Sequence, residues 1–319
     1  MRLLGPSNSI RRNWFALALV APWFLLASIR VFSLDRAFPL VSIVAFSPLI
    51  LAGVIIPLAI ALLLRARYVA TTITVFAVVL GLMVLPRAIS QGQPDAEGRV
   101  VTLMTANLLA GSSANDGIER IVRENDVDVL AMQEITPIAF KVLRDRGLTE
   151  ELPYFTSTTA PGVAGNVIVS RQRIRERDFG RDSKLSPWPE VVVPSFGLVV
   201  RSVHPYPPIK PRQTGIWQDD LRSLPAARPA PGDNLRVLLG DFNATLDHHL
   251  LRRLVARDYV DAARVTGNGL KPTWSVNRLM KLTIDHVLLD SRIKVESYAT
   301  FDLPRSDHDA VVVRVRLPR

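Results

Sequence analysis

Pro39–Leu64 runs for 26 residues without a charge, and Tyr68–Pro86 for another 19. A bilayer core takes about 20 apolar residues of helix, so each stretch reads as a membrane span. Trp14–Ser28 is shorter and reaches spanning length once Ile10 or Ile29–Phe32 is included. Three transmembrane helices are therefore expected, at about 12–32, 39–64 and 68–86, within a membrane unit covering 1–89. A cleaved signal peptide does not suit the first of them, because a second long apolar run follows instead of a polar mature sequence. Arg2, Arg11 and Arg12 precede the first span, and Arg65 and Arg67 lie between the second and third. That bias puts the N-terminus in the cytoplasm and residues after 87 outside the cell membrane.

The same partition explains the charge. Of the net +10, half falls within residues 1–98, where eight arginines face Asp35, Asp95 and Glu97. Basic membrane flanks thus account for it, and it argues little for a polyanion partner. Cysteine is absent, which excludes disulfides, thiolate metal sites and a cysteine nucleophile.

Ser90–Arg99 (SQGQPDAEGR) reads as a flexible linker. From residue 100 to 319 the chain alternates apolar strand patterns with helical ones, as one α/β domain. Strands are expected at 100–109, 127–135, 165–171, 195–205, 236–240, 284–289, 295–301 and 310–315. Helices are expected at 114–125, with an Asx cap, and at 212–224 and 246–257.

One pattern recurs. The strands deliver an acid, amide or imidazole at or just past their C-terminal ends: TAN at Asn107, QE at Glu134, VHP at His204, GDFN at Asp241 and Asn243, IDH at Asp285 and SDH at Asp307 and His308. A polar residue closing one strand is ordinarily a turn former. Six such endings are harder to dismiss, because neighbouring strand ends converge. Converging carboxylates repel by roughly 4 kcal/mol per pair at about 4 Å and an effective dielectric of 20, so either some stay protonated or a cation binds. Oxygen ligands without cysteine favour Mg²⁺ or Mn²⁺.

Taken in order, TANLL, LAMQEI, GNVIVSR, VRSVHPYPP, LLGDFNAT, PTW…IDHVLLD and SDHDAVVV resemble the endonuclease/exonuclease/phosphatase superfamily over about residues 100–317. The resemblance implies a four-layer α/β sandwich, two packed mixed β-sheets flanked by helices, here preceded by membrane spans as in membrane-anchored bacterial members. It implies a divalent cation held by Glu134, with Asn107 and Asp307 close to it. Asp241 and Asn243 would orient the attacking water and a phosphate oxygen. His308, oriented by Asp285, would contact the scissile phosphate or act as general base, and His204 would stabilise charge or protonate the leaving oxygen.

His248 and His249 lie in an expected helix, point about 100° apart and read as surface or rim residues. His286 follows Asp285 in a strand, faces the other way and reads as a packing residue. Trp274 reads as a support at the site's rim, with stacking on a base or sugar as the alternative. The function expected is hydrolysis of a phosphodiester or phosphomonoester, with a lipid-linked ester or a nucleic acid as substrate. A binding scaffold on the same fold would suit a chain that had lost a metal or histidine position, and none is lost. A transporter is disfavoured by spans without internal charge.

Overall fold

The computed structural model describes residues 6–113, 117–177, 187–227, 234–277 and 280–319. The chain divides into two compact units: Met1–Pro86 with Asp247–His249, and Arg87–Leu246 with Leu250–Arg319.

The first unit is helical. Arg67–Ala88 is a 22-residue helix long and apolar enough to cross a membrane. Among the described residues it alone meets that test, where three spans were expected. The second expected span is broken into Leu40–Val44, Ser47–Gly53 and Ile55–Leu63. Proline removes a helical N–H and crowds the preceding turn, and Pro39, Pro48 and Pro57 punctuate this stretch. The first expected span lies in a helix, Pro6–Phe32, whose apolar described part is Ala18–Phe32. Asp247–His249 is buried in this unit. Arg30 Nε donates to Asp247 at 3.0 Å, His249 Nδ1 lies 3.0 Å from Asp35 Oδ2, and His248 Nε2 lies 2.9 Å from the Val41 carbonyl. The two histidines are thus interior residues with their own partners, correcting their surface assignment.

The second unit is built on two six-stranded sheets. In chain order its strands are β1 (Val100–Asn107), β2 (Val129–Gln133), β3 (Tyr154–Phe155), β4 (Asn166–Ser170), β5 (Arg175–Arg177), β6 (Glu190–Val193), β7 (Leu198–Val203), β8 (Leu235–Asp241), β9 (Tyr259–Asp261), β10 (Trp274–Ser275), β11 (Lys281–Leu282), β12 (Asp285–Asp290), β13 (Lys294–Asp302) and β14 (Asp309–Arg316). One sheet runs β13-β14-β1-β2-β4-β3 and the other β5-β6-β7-β8-β12-β9, with β10-β11 a separate hairpin. Each large sheet is mixed, with one parallel pair, β1 with β2 and β7 with β8.

Strand side chains alternate faces with a period of two. Val101, Leu103, Val129, Ala131 and Ile168 of one sheet meet Leu198, Val200, Val237, Leu239, Val287 and Leu289 of the other in a common buried core. The opposite face of the first sheet, with Met104, Leu130 and Met132, packs against the helices Ile118–Glu124 and Pro137–Asp145. The Asx cap expected near Asn115 lies outside the described residues; the helix begins at Ile118.

The same parity decides the site. Asn107, Gln133, Asp241 and Asp285 fall on the inward-facing positions at the ends of β1, β2, β8 and β12. Their strands end together, with Asn107 opposite Gln133 and Asp285 opposite Asp241. β7 and β8 approach closely there: a Cβ on Gly240, at φ +146°, would stand 2.0 Å from the Val203 carbonyl. Only glycine fits such a contact.

The 90–99 segment is not a free tether. Gly269 N donates to the Arg87 carbonyl at 3.0 Å, and Arg87 Nη2 reaches the Leu246 carbonyl at 3.4 Å. Gln91 N donates to Val265, the Gln93 side chain pairs with both backbone groups of Val295, and Gly98 N donates to Leu317. The segment ends at the far end of the sandwich, where β1 starts.

Candidate active site

Asn107 is the hinge of the site. Its amide nitrogen has two hydrogens, and it donates to Glu134 Oε1 at 3.2 Å and to Asp241 Oδ2 at 3.1 Å. One amide therefore holds two carboxylates side by side. Its carbonyl oxygen accepts from Leu109 N, which folds the following loop back so that Ala110 N donates to Glu134 Oε2 at 2.9 Å. Glu134 itself sits just past β2 with φ +56°, and Asn243 has φ +46°. Such left-handed non-glycine residues cost about 1–3 kcal/mol and gather at functional sites.

The GDFN turn closes on itself. Asn243 N donates to Asp241 Oδ1 at 2.8 Å, while Asn243 Nδ2 reaches Asp241 Oδ2 at 3.3 Å and the Pro205 carbonyl at 3.1 Å. Two imidazoles approach Asp241 Oδ2 from different elements, His204 Nε2 and His308 Nε2, both at 3.7 Å. His204 Nε2 also stands 3.6 Å from Glu134 Oε1. On its other side His308 Nδ1 lies 2.9 Å from Asp285 Oδ2, so Asp285 fixes the ring with Nε2 toward the cluster.

Burial sets the proton affinities. It pushes Asp241 up to about 7, with Asp285 and Glu134 adding to the rise and His308 opposing it. Burial also raises Glu134, against the hydrogen bonds from Asn107 and Ala110. Burial would depress His308, but Asp285 and Asp241 outweigh it and hold the ring up to about 10. His204 is buried and feels the charge on His308, which brings it down to about 3. The two histidines are therefore opposite in character, one cationic and one neutral.

Asp307 completes the cluster. Its Oδ2 accepts from Trp274 Nε1 at 2.8 Å, and its Oδ1 is buried without a hydrogen bond, 3.8 Å from His308 Nε2. Trp274 also bridges to His308 through its backbone, which places it on the rim as expected. Asp241, Asp285 and His308 present donor atoms within 4.8 Å of one another, spacing that could hold an ion. The tight Asp285–His308 bond makes that trio better suited to proton handling. Glu134 and the unsatisfied Asp307 oxygen are carboxylate oxygens of the kind a hard cation takes, while Asn107 turns its NH2 toward Glu134 and Asp241 and positions them.

All eight residues singled out in the sequence thus belong to one end of one sandwich, and the geometry adds others. Thr105 Oγ1 donates to Gln133 Oε1 at 3.1 Å, and Gln133 Nε2 donates to Ser202 Oγ at 2.9 Å, which in turn bonds Asn166. This polar ladder joins the two sheets directly beneath Glu134 and His204. Inward parity was its only signal in the sequence. Trp188 Nε1 donates to the His204 carbonyl at 3.1 Å. His286 does face away from the site, but it is more than packing. Nδ1 lies 2.7 Å from Asp261 Oδ2 and Nε2 lies 2.9 Å from the Ala244 carbonyl. With an acceptor at each nitrogen the ring donates from both, and it ties down the backbone just beyond Asn243.

Residues 104–308 match the Endonuclease/Exonuclease/phosphatase family. The chain belongs to this family. Its chemistry is hydrolysis of a phosphoric ester bond. Among solved structures the fold is similar to humanized D. rerio TDP2, at 16% identity and a TM-score of 0.54, covering 68% of this chain and 99% of that one. It is also similar to the 3′-5′ exonuclease NExo from Neisseria meningitidis (17%, TM-score 0.51, 69% and 100%). An endonuclease/exonuclease/phosphatase from Beutenbergia cavernae gives 19% identity and a TM-score of 0.51, covering 69% and 72%. At these identities the likeness is one of fold. No curated protein matches the chain by sequence.

Proposed function

We propose that this family member is a membrane-anchored phosphohydrolase, dependent on Mg²⁺ or Mn²⁺, that cleaves a phosphodiester or phosphomonoester by in-line attack of water. The observation that carries the reading is Asp241 Oδ2, on which Asn107, Asn243, His204 and His308 all converge.

Glu134 and Asp307 would hold the cation, with Asn107 close by positioning Glu134, and the cation would supply Lewis-acid stabilisation of the phosphoryl oxygens. The buried, unpartnered Asp307 Oδ1 fits that use. Asp241 and Asn243 orient water: the carboxylate accepts its proton and the amide points a donor at a phosphate oxygen. His308, held by Asp285, is the charged group facing the scissile phosphate. His204 is neutral and buried, and it offers Nε2 to charge developing on the equatorial oxygens or the leaving group.

The anchor is the Arg67–Ala88 helix, about 33 Å long at 1.5 Å per residue. Basic Arg65 and Arg67 at its start favour a cytoplasmic N-terminal side and an extracytoplasmic catalytic unit. A tethered catalytic unit favours a lipid-linked ester; an extracytoplasmic nuclease is the second reading, supported by a D. rerio TDP2 structure with single strand DNA product.

The test is a substrate panel with the full-length protein and Mg²⁺: phospholipid diesters, inositol phosphates, and single- and double-stranded DNA and RNA. Turnover of lipid diesters above the nucleic acids is expected. Preferential cleavage of nucleic acid would select the nuclease reading, and inactivity on every ester with either metal would favour a binding scaffold.

A further inference from the structure

Among the described residues from β1 onward, the exposed large hydrophobic side chains are Leu109, Ile138, Val163, Ile209, Val276 and Met280. Scattered singly, such residues need no explanation. These are not scattered. Leu109 is two residues past Asn107, and Ile138, 78% exposed, is four past Glu134. Val163 is on the loop leading to Asn166, whose partner across β2 is Gln133. Ile209, 61% exposed, follows His204 by five residues. Val276 and Met280 cap the β10–β11 hairpin, where Ser275 N bonds the Asp307 carbonyl. Five of them stand on loops at the catalytic ends of the strands, and Ile138 is in the first turn of the helix Pro137–Asp145 that follows Glu134.

The opposite end provides the contrast. The described turns there, Asp126–Asp128, Pro194–Gly197, Arg257–Asp258 and Ser291–Arg292, carry no exposed large hydrophobic. Charge on most of these loops is basic, although the turn that carries Asp307 also exposes Asp302. Segments 108–113, 135–139, 156–165, 205–212 and 271–282 contain no acidic residue, while Lys210, Arg212, Lys271 and Lys281 are exposed on them. A collar of aliphatic side chains with basic neighbours is what an anionic bilayer interface accepts: the apolar tips enter the acyl boundary and the cations meet the headgroup phosphates. Single-stranded nucleic acid is instead gripped by aromatic stacking platforms, and these tips are aliphatic.

We propose that this collar is a bilayer-docking surface, through which the active site takes phosphoesters carried on lipid headgroups. The proposal rests on the membrane-anchored reading above and adds that the mouth of the site itself engages lipid.

The chain has no cysteine, so single thiols can be placed without background. Ile209→Cys, Val276→Cys and, at the far end, Ser195→Cys would each carry an environment-sensitive nitrobenzoxadiazole label on the full-length protein. The proteins would be reconstituted in vesicles of equal phosphatidylcholine and phosphatidylglycerol, with doxyl-labelled phosphatidylcholine as quencher. Labels at 209 and 276 are expected to shift to the blue and be quenched several-fold more strongly than the label at 195. Behaviour identical to the label at 195 would overturn the proposal, as would shielding of the rim labels by a single-stranded oligonucleotide and not by lipid. In parallel, Ile209→Asp and Val276→Asp should slow hydrolysis of a vesicle-borne phosphodiester about tenfold, the effect of withdrawing one aliphatic side chain from an apolar phase. Turnover of water-soluble bis-p-nitrophenyl phosphate should be unchanged; equal loss on both substrates would also overturn it. Inactivity on all esters would instead defeat the hydrolase reading, leaving the quenching result to stand by itself.

Discussion

Replacing His308 with glutamine is expected to lower turnover of a phosphodiester by about 10²–10⁴-fold, the range for losing a positioned acid–base group, while the protein stays folded. Glutamine keeps a donor of similar reach but cannot carry the charge that Asp285 and Asp241 hold on the ring. The substitution also removes the group 3.7 Å from Asp241 Oδ2, which leaves a carboxylate already raised by burial without its main opposing charge. Asp285→Asn should reproduce part of the loss through His308, since Nδ1 then loses its anionic partner. Its signature is a fall in the His308 titration point, read by NMR in chelator, from about 10 toward the ordinary value of 6.5. A His308→Gln protein of undiminished activity would remove the imidazole from the mechanism.

The second large effect links cation, pH and stability. Asp241 has its affinity for protons raised to about 7 from 3.8. Its contribution to stability is fully present below 3.8 and is lost as pH rises through 7. His308 is raised from 6.5 to about 10, so its contribution is present below 6.5 and lost as pH rises through 10. His204, depressed to about 3, acts in the opposite direction, but only below 6.5, because above that it is neutral folded and unfolded alike. Between about pH 6.5 and 9 the site in chelator therefore loses stability as pH rises. A bound divalent cation competes with the protons that burial keeps on the folded carboxylates, so its stabilising effect grows as pH rises through about 7, where Asp241 ionises. At a concentration 100-fold above its Kd a ligand contributes about 2.7 kcal/mol, or roughly 5–10 °C in Tm for a unit of this size. Thermal unfolding with Mn²⁺ or with chelator, across that pH window, reads the difference. A cation-induced shift that is absent, or that shrinks as pH rises, would contradict the assignment of these carboxylates.

The sandwich was legible because its strands obey simple rules. Val237–Leu239 and Val287–Leu289 announce buried strands, and the polar residues at their ends, Asp241 closing β8 and Asp285 opening β12, inherit their inward direction from parity. Parity set His286 behind the site, while the recurring polar strand ends and the family resemblance put Asp241 and Asp285 in it. Parity could not show what His286 meets, because Asp261 and the Ala244 carbonyl arrive from elements distant in sequence. The ladder from Thr105 to Gln133, Ser202 and Asn166 escaped for the same reason: each residue is an ordinary strand polar group until the second sheet is laid across it.

The N-terminal unit was harder to read from hydropathy. Absence of charge over Pro39–Leu64 gives the apolar length of a span but says nothing of continuity, and three prolines divide that stretch into short helices. His248 and His249 were misplaced through a related limit. A two-histidine step on a helix looks exposed when the facing surface is unknown, and Asp35 and Val41, more than 200 residues earlier, provide their partners.

The account stands most directly on hydrolysis of bis-p-nitrophenyl phosphate by the full-length protein with Mg²⁺ or Mn²⁺, compared with the same protein in chelator and with Glu134→Ala. Release of p-nitrophenol that requires the cation and falls to background in both comparisons is the predicted result. Release that persists in chelator, or is undiminished in Glu134→Ala, would contradict it.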